Sequence, residues 1–212
     1  MTITVAHRAG NRLDWLLRAE AAHVDYIETD VWFERGAVAV RHAARVGRLP
    51  LTRERWRIAL AHRGPSIEAL LDALAPGTQL LLDLKGTDLR LALAVRGLLA
   101  ALAPGRSYAV CSPAWALLAP FANVGEAEVW HSVGSVAALD AVGAALAGSA
   151  RPALTVDHHL LTAERVAALR AFAPTVVAWT VNSAPRAREL LRWGVSGITS
   201  DDLALLAALP RE

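Results

Sequence analysis

Short apolar runs alternate along the chain with longer stretches in which apolar residues recur at helical spacing. Each short run is rich in β-branched or aliphatic residues and predicts a strand, and each Ala/Leu/Arg-rich stretch that follows predicts a helix. The predicted strands cover 3–6, 26–31, 79–84, 107–111, 128–131, 153–156, 176–180 and 197–199. The predicted helices cover 11–23, 66–75, 89–103, 114–122, 136–147, 163–172, 184–193 and 202–209.

A strand followed by a helix, repeated through the chain, is typical of an α/β fold with a parallel sheet. Two architectures show this alternation, a closed (β/α)8 barrel and a doubly wound open sheet. Eight units within 212 residues, with no glycine-rich phosphate motif after the first strand, favour the TIM barrel. We therefore expect residues 1–212 to form a single (β/α)8 barrel domain.

Two segments depart from the simple repeat. Glu34-Arg35-Gly36 indicates a turn after the second strand, so 37–40 is predicted to be an extra strand that completes a β-hairpin. The Arg-rich stretch 45–63 has no clear period, and we interpret it as an irregular surface excursion over one end of the barrel.

Composition limits the class of protein. A hydrophobic fraction of 54%, a charged fraction of 20% and a mean hydropathy of +0.33 indicate an extensive core. Every apolar stretch is interrupted before the roughly 18 residues that a membrane span needs, so no transmembrane segment is expected. The net charge of +2 comes without a cluster of basic and aromatic residues, which argues against nucleic acid as a partner.

The single cysteine and the amino-terminal sequence bear on location. Cys111 lies in an apolar run, so it is predicted to be a buried thiol, and one cysteine forms no internal disulfide. The amino terminus shows no secretory signal pattern. We therefore expect a cytoplasmic protein. The sequence carries no signal for an oligomeric state.

Acidic residues cluster at the ends of two predicted strands. Glu28 and Asp30 are two positions apart and so project to the same side, and the same holds for Asp83 and Lys85. In a barrel these strand ends meet at the mouth where active sites are built. Three carboxylates in one space repel each other unless a cation lies among them. Oxygen ligands suit a hard divalent ion, so we expect one Mg²⁺ or Ca²⁺.

Histidines and a lysine complete the predicted site. His7 ends the first strand and His42 ends the extra strand, and two imidazoles fit a general acid and a general base. Of the 22 basic residues, 21 are arginine, so the one lysine, Lys85, indicates a specific role as a compact charge for a phosphate oxygen. A cation, an ammonium group and a histidine pair point to phosphoryl chemistry.

Several phrases, taken together in order and spacing, resemble the glycerophosphodiester phosphodiesterases. They are Ala6-His7-Arg8, Asp25-Tyr26-Ile27-Glu28-Thr29-Asp30-Val31, Val38-Ala39-Val40-Arg41-His42, Leu82-Asp83-Leu84-Lys85, Trp179-Thr180-Val181-Asn182 and Gly194-Val195-Ser196-Gly197-Ile198-Thr199-Ser200-Asp201. The resemblance implies a metal-dependent hydrolase of lipid and glycerol metabolism that acts on a small-molecule phosphodiester and releases glycerol phosphate and an alcohol. It also implies that His7 and His42 are catalytic and that Glu28 and Asp30 bind the metal.

The resemblance extends to the pocket. Asp83 matches a third metal ligand that is usually Glu in bacterial members, and Asp there is more similar to the related sphingomyelinase D type phospholipases. Arg8 and Lys85 match positions that contact phosphate, and Trp179 matches an aromatic at the pocket mouth. The usual Pro-Glu-Asn after the first strand is replaced by the shorter 9–13 loop.

Alternatives remain open at the level of sequence. The same core serves a phospholipase D-like enzyme that forms a cyclic phosphate, and a barrel that binds a phosphate ligand without catalysis keeps the same fold. An unrelated metal-dependent barrel such as an aldolase is a further alternative. His131 and the run Asp157-His158-His159 also lie at strand ends and are additional candidates to line the mouth.

Overall fold

Eight parallel strands close into a barrel in the computed structural model, which describes residues 2–42, 44–45, 51–54, 57–60, 64–149 and 151–210. The strands are β1 (Ile3–Ala6), β2 (Tyr26–Glu34), β3 (Ala37–Val40), β4 (Ala44–Arg45), β5 (Leu51–Glu54), β6 (Arg57–Leu60), β7 (Gln79–Leu84), β8 (Tyr108–Ser112), β9 (Ala127–Val133), β10 (Ala153–Asp157), β11 (Thr175–Trp179) and β12 (Gly197–Ser200). The ring runs β1-β2-β7-β8-β9-β10-β11-β12 and closes because β12 pairs with β1. The predicted (β/α)8 barrel is confirmed.

Helices follow the barrel strands. They are α1 (Leu13–Ala21), α2 (Ile67–Ala73), α3 (Leu89–Leu102), α4 (Val136–Ala145), α5 (Ala163–Arg170), α6 (Ala184–Arg192) and α7 (Leu203–Ala207). The helix predicted at 114–122 is instead a 3₁₀ helix, Trp115–Phe121. Pro120 lies inside it, and a proline has no N–H for the α-helical hydrogen bond. Across the described residues, no helix is long and apolar enough to cross a membrane.

The extra hairpin forms as predicted. β3 runs antiparallel to the end of β2, and Val31 lies opposite Val40. The backbone N–H of Arg41 donates to the carbonyl of Asp30 and so continues this pairing past β3. As a result, the residue that follows Arg41, His42, is brought to the carboxyl end of β2.

The segment 45–63 is not irregular where the structure describes it, which corrects the prediction. β4, β5 and β6 form a three-stranded antiparallel sheet, separate from the barrel sheet. The rest of this segment, 46–50, 55–56 and 61–63, lies outside the described residues. The strands are two to four residues long, and their Arg-rich sequence lacks the apolar run that marks a buried strand.

Alternation along the barrel strands produces two apolar layers. Tyr26 and Leu81 belong to a cluster within the barrel, together with Cys111 and the fully buried Trp130. Ile27, next to Tyr26, belongs to the larger layer that also includes residues of the helices. Because side chains alternate with a period of two, Glu28 and Asp30 share the inward direction of Tyr26. The inner layer fills the barrel below these carboxylates.

Candidate active site

Three carboxylates from two neighbouring strands meet at the mouth, the end of the barrel formed by the carboxyl ends of the strands. β2 and β7 pair in register, so Asp30 lies beside Asp83. Oxygen atoms of Glu28, Asp30 and Asp83 all lie within 4.8 Å of one another. Glu28 and Asp30 are almost completely buried. The predicted acidic cluster therefore forms.

Burial and mutual repulsion make this cluster electrostatically costly. Burial, reinforced by the charges of Asp30 and Asp83, raises the pKa of Glu28 well above its usual value. Burial also raises the pKa of Asp83, although Lys85 acts against it. Burial alone would raise the pKa of Asp30, but the hydrogen bond with His42 and the charge of Lys85 outweigh it and lower that pKa. Ionisation of all three carboxylates together would therefore require further positive charge in this buried space.

Lys85 lies among these carboxylates. Its Nζ is 2.7 Å from Asp30 Oδ1 and contacts Asp83 Oδ2. Burial acts to lower its pKa, yet the charges of Asp83 and Asp30 raise the pKa above its usual value, so Lys85 is a fixed cation. With all three carboxylates ionised, Lys85 offsets only part of their negative charge, and a divalent cation would offset more of it.

The donor set suits a hard divalent ion. Asp83 Oδ1 is buried and has no hydrogen-bond partner among the described residues. The thiol of Cys111 lies next to Asp83 in strand register, but burial raises its pKa well above its usual value, so it stays protonated. The available ligands are therefore oxygens. Mg²⁺ and Ca²⁺ prefer oxygen ligands more strongly than softer metals do.

The loop after β1 supports the cluster from one side. The backbone N–H of Arg8 donates to Glu28 Oε2 at 2.5 Å, and Arg8 Nε lies 4.0 Å from Asp30 Oδ2. Asn11 donates to Asp30 Oδ2 at 2.7 Å and accepts from the backbone N–H of Asp30 at 2.9 Å. Gly10 permits this close approach, since a Cβ there would lie 2.7 Å from Cβ of Thr29. The support from Asn11 was not predicted from the sequence.

His7 is held by its own carboxylate. Its Nδ1 lies 2.7 Å from Asp201 Oδ1, and Asn182 donates to Asp201 Oδ2 at 2.8 Å. The Asn182 amide oxygen also accepts from Ser200 Oγ and from the backbone N–H of Asp201. Asp201 and Asn182 belong to the motifs that signalled the family resemblance, but no role for them was predicted. They bring the ends of β11 and β12 to His7 at the end of β1.

His42 is held differently. Its Nδ1 lies 3.1 Å from Asp30 Oδ2, so its carboxylate partner is also a member of the acidic cluster. Both candidate catalytic histidines thus direct Nδ1 to a carboxylate. This contact favours, in both histidines, the tautomer that carries its proton on Nδ1.

The opposite side of the mouth holds Trp179. The ring reaches from the end of β11 to β9, where a Cβ at Gly134 would lie 3.3 Å from its Cη2. Asp157 ends β10 between them, on the same face as its register partner Trp179. Trp130 points into the barrel, so the next residue on β9, His131, points outward. Its ring packs against Trp115, with ring centroids 5.7 Å apart. Asp157 therefore lines the mouth, whereas His131 packs on the outer side of the strand.

Comparison with solved structures identifies the fold. A glycerophosphodiester phosphodiesterase from Thermotoga maritima superimposes with a TM-score of 0.77 at 17% identity, covering 99% of this chain and 99% of that one. One from Agrobacterium tumefaciens str. C58 gives 0.71 at 19%, covering 99% and 100%. An Oleispira antarctica phosphodiesterase in complex with the product sn-glycerol-3-phosphate gives 0.78 at 18%, covering 95% and 93%.

Comparison at the level of sequence gives no match for this chain. No family model matches it, and no curated protein matches it closely enough to count as a relative. The solved structures share their barrel with this chain over almost its whole length, which confirms at the level of fold the resemblance seen in the motifs.

Proposed function

We propose that the chain is a metal-dependent phosphodiesterase that cleaves glycerophosphodiesters to glycerol phosphate and an alcohol. One observation carries the proposal. The three clustered carboxylates, Lys85 and the two carboxylate-bound histidines lie at one mouth of the barrel. The structural neighbours, one of them bound to a glycerol phosphate product, support this choice of substrate.

The cation, when bound, would supply Lewis-acid stabilisation of charge on the phosphoryl oxygens, and Glu28, Asp30 and Asp83 would hold it. Its identity as Mg²⁺ or Ca²⁺ rests on the oxygen ligands. Lys85 and Arg8 would offset negative charge as the pentacoordinate phosphorus develops. Trp179 would pack against the substrate at the mouth.

The two histidines would divide the proton transfers. One accepts a proton from the attacking water, and the other donates a proton to the departing alcohol oxygen. His7 has a carboxylate partner outside the acidic cluster, whereas the partner of His42 is also needed by the cation and Lys85. Because the carboxylate partner of His7 lies outside the acidic cluster, we assign His7 as the base and His42 as the acid.

A test follows from the donor set. Purified protein is dialysed against chelator, and cleavage of several glycerophosphodiesters is measured with and without added Mg²⁺ or Ca²⁺. We expect turnover to disappear with chelator and to return with one of these ions. Turnover that persists after exhaustive chelation would contradict the proposed site, and no turnover of any glycerophosphodiester would contradict the proposed substrate class.

A cyclising reaction is the second candidate, favoured by Asp83 in the position where bacterial members of the resembling family usually have Glu. The hydroxyl next to the esterified oxygen of glycerol would attack the phosphorus, since a neighbouring group held in place is a far more effective nucleophile than water. Phosphorus NMR at early times distinguishes the two routes. A transient cyclic ester supports cyclisation, and direct glycerol phosphate carrying ¹⁸O from solvent supports attack by water.

We further propose that residues 1–212 form one domain, because the first and last barrel strands pair with each other and the ring would be incomplete without either. We also propose a cytoplasmic location, on the ground that the single cysteine is a buried thiol.

A further inference from the structure

Trp32 lies beside the candidate site, and the proposed chemistry does not use it. It is two positions beyond Asp30 on β2, so its side chain projects to the same side of the strand. The residue is half-buried and pairs with Ala39 on β3, three positions before His42. Trp32 therefore belongs to the part of the hairpin that leads to His42.

Both backbone polar groups of Arg41, the residue before His42, are bound by β2. The N–H of Arg41 donates to the carbonyl of Asp30 at 3.0 Å, and the carbonyl of Arg41 accepts from Trp32 Nε1 at 3.1 Å. The carbonyl of Arg41 and the N–H of His42 belong to one planar peptide group. The indole N–H thus fixes the orientation of the peptide that leads into His42.

The side chain of Arg41 is held by the same indole. Its guanidinium carbon lies 4.9 Å from the centroid of the Trp32 ring, and its Nη2 contacts Glu34. Arg41 is 8% exposed, and its Nε and Nη1 have no hydrogen-bond partner among the described residues. A buried cation with so few hydrogen bonds depends on the attraction of the aromatic face. Loss of the indole would therefore release both the backbone and the side chain of Arg41.

The ring also contacts the turn that follows Lys85. Gly86 has a φ of +79°, and a Cβ there would lie 3.6 Å from Cζ3 of Trp32. The backbone N–H of Lys85 donates to the carbonyl of Val31 at 2.9 Å, so this turn is itself tied to β2. The indole thus contacts segments that follow β3 and β7, the two strands that flank the end of β2. A ring held between these segments has little freedom to turn away from Arg41.

We propose, on the basis of the proposed function, that Trp32 is a positioning residue for His42. It acts through Arg41, because the indole N–H sets the peptide plane and the ring holds the side chain. His42 in turn keeps its Nδ1 3.1 Å from Asp30 Oδ2. Proton transfer requires the imidazole within hydrogen-bond reach of the departing oxygen, so a small displacement of His42 slows the chemical step more than it weakens substrate binding.

Three variants separate positioning from a general contribution to stability. Trp32→Phe keeps an aromatic ring against Arg41 and removes the N–H, whereas Trp32→Leu removes both. Trp115→Phe is the matched control, because Trp115 is also half-buried and its Nε1 also donates to a backbone carbonyl, that of Ser132 at 2.9 Å. Ser132 lies on β9, three strands from β2 in the ring.

Steady-state kinetics at saturating metal gives kcat and KM for each variant. We expect kcat to fall about tenfold in Trp32→Phe and further in Trp32→Leu, with KM within about twofold of the value for the unmodified chain. In Trp115→Phe, kcat should stay within about twofold although the same kind of hydrogen bond is lost. An unchanged kcat in Trp32→Leu, or an equal loss of kcat in Trp115→Phe, overturns the proposal.

A second measurement needs no turnover and separates this proposal from the proposed function. With ¹⁵N-labelled histidine, NMR of the metal-free protein at about pH 8.5 reports which ring nitrogen of each imidazole carries the proton, and His42→Gln assigns the His42 signal. We expect His42 to be protonated at Nδ1 in the unmodified chain and in Trp115→Phe, and to show both tautomers in Trp32→Leu.

That result supports the positioning role even if no diester is cleaved, in which case only the proposed function is contradicted. Cleavage of diesters together with a His42 signal that Trp32→Leu leaves unchanged rules out positioning by Trp32 and leaves the phosphodiesterase standing.

Discussion

The two walls of the mouth are built on different principles. On the side of β1, β2, β7 and β12, most polar groups other than Asp83 Oδ1 are tied to another, and Asp30 alone contacts Asn11, His42 and Lys85. On the opposite wall, at the ends of β10 and β11, Asp157 has one oxygen without a partner and Trp179 has an indole N–H without one, within the described residues. One wall fixes its groups before substrate arrives, and the other leaves groups for substrate to meet.

This difference matches two physical tasks. Stabilising charge in a transition state requires donors and cations that do not reorganise during the reaction, so their positions are fixed by neighbours. Recognising a leaving alcohol requires surface that is still available in the free protein. Mutations on the first wall should therefore lower turnover for every diester, and mutations on the opposite wall should change which diester is preferred.

The largest effect is expected for Glu28→Gln. The exchange keeps size and burial but removes a charge that the proposed cation needs, so kcat/KM should fall by about a thousandfold or more for all diesters alike. Burial raises the pKa of Glu28 in the folded protein. At any pH above the pKa that Glu28 has in the unfolded chain, ionised Glu28 therefore opposes folding of the metal-free protein. The metal-free variant should therefore melt no lower than the unmodified chain.

Activity and thermal melting are measured together with Asp140→Asn, which removes an exposed carboxylate on α4 and should leave both unchanged. A Glu28→Gln protein that kept its activity would show that the acidic cluster does not contribute to the reaction. A loss of activity confined to some diesters would contradict the distinction between the two walls.

An intermediate effect is expected for Lys85→Arg. The Nζ of Lys85 fits between Asp30 and Asp83, and the planar fork of arginine cannot place one nitrogen between both carboxylates in the same space. Turnover should fall by about 10- to 100-fold although the charge is kept. Arg188→Lys, an exchange on the exposed surface of α6, serves as the control for a change between the two basic residues.

The turnover of Lys85→Arg, of Arg188→Lys and of the unmodified chain is measured by steady-state kinetics at saturating metal. Near-normal turnover in Lys85→Arg would mean that the chain uses its single lysine only as a general positive charge.

The barrel was predictable because its strands are buried on both faces. The apolar runs at 3–6 and 79–84 coincide with β1 and β7, and the other barrel strands differ from prediction by a few residues at their ends. Prediction was wrong where local chemistry overrides the apolar pattern. Pro120 shortens a helix to a 3₁₀ turn, and β4 to β6 are short strands in an Arg-rich segment.

The acidic cluster was predictable for a similar reason. Glu28 and Asp30 are two positions apart on one strand, and a parallel barrel brings Asp83 beside them. The partner of His7 was not predictable, since Asp201 is 194 positions away and meets His7 only when β12 pairs with β1. Closure of the ring, which no local pattern encodes, creates that contact.

The smallest effect is expected from Asp201, and it tests how firmly this wall is fixed. The hydrogen bond with His7, followed by that from Asn182, lowers the pKa of Asp201 to about 2 despite partial burial. The unfolded value is about 3.9, so the folded chain holds the ionised form more strongly. The stabilisation is complete above about pH 4 and is lost as the pH falls toward 2.

Urea unfolding at pH 6 and pH 3 should therefore show Asp201→Asn less stable than the unmodified chain at pH 6, with a smaller difference at pH 3. Since the Asp201 side chain is 51% exposed, solvent screens the pair and the difference is modest. Asp140→Asn should show no such pH dependence, and an Asp201→Asn difference that is equal at both pH values would mean that the carboxylate does not hold His7 in solution.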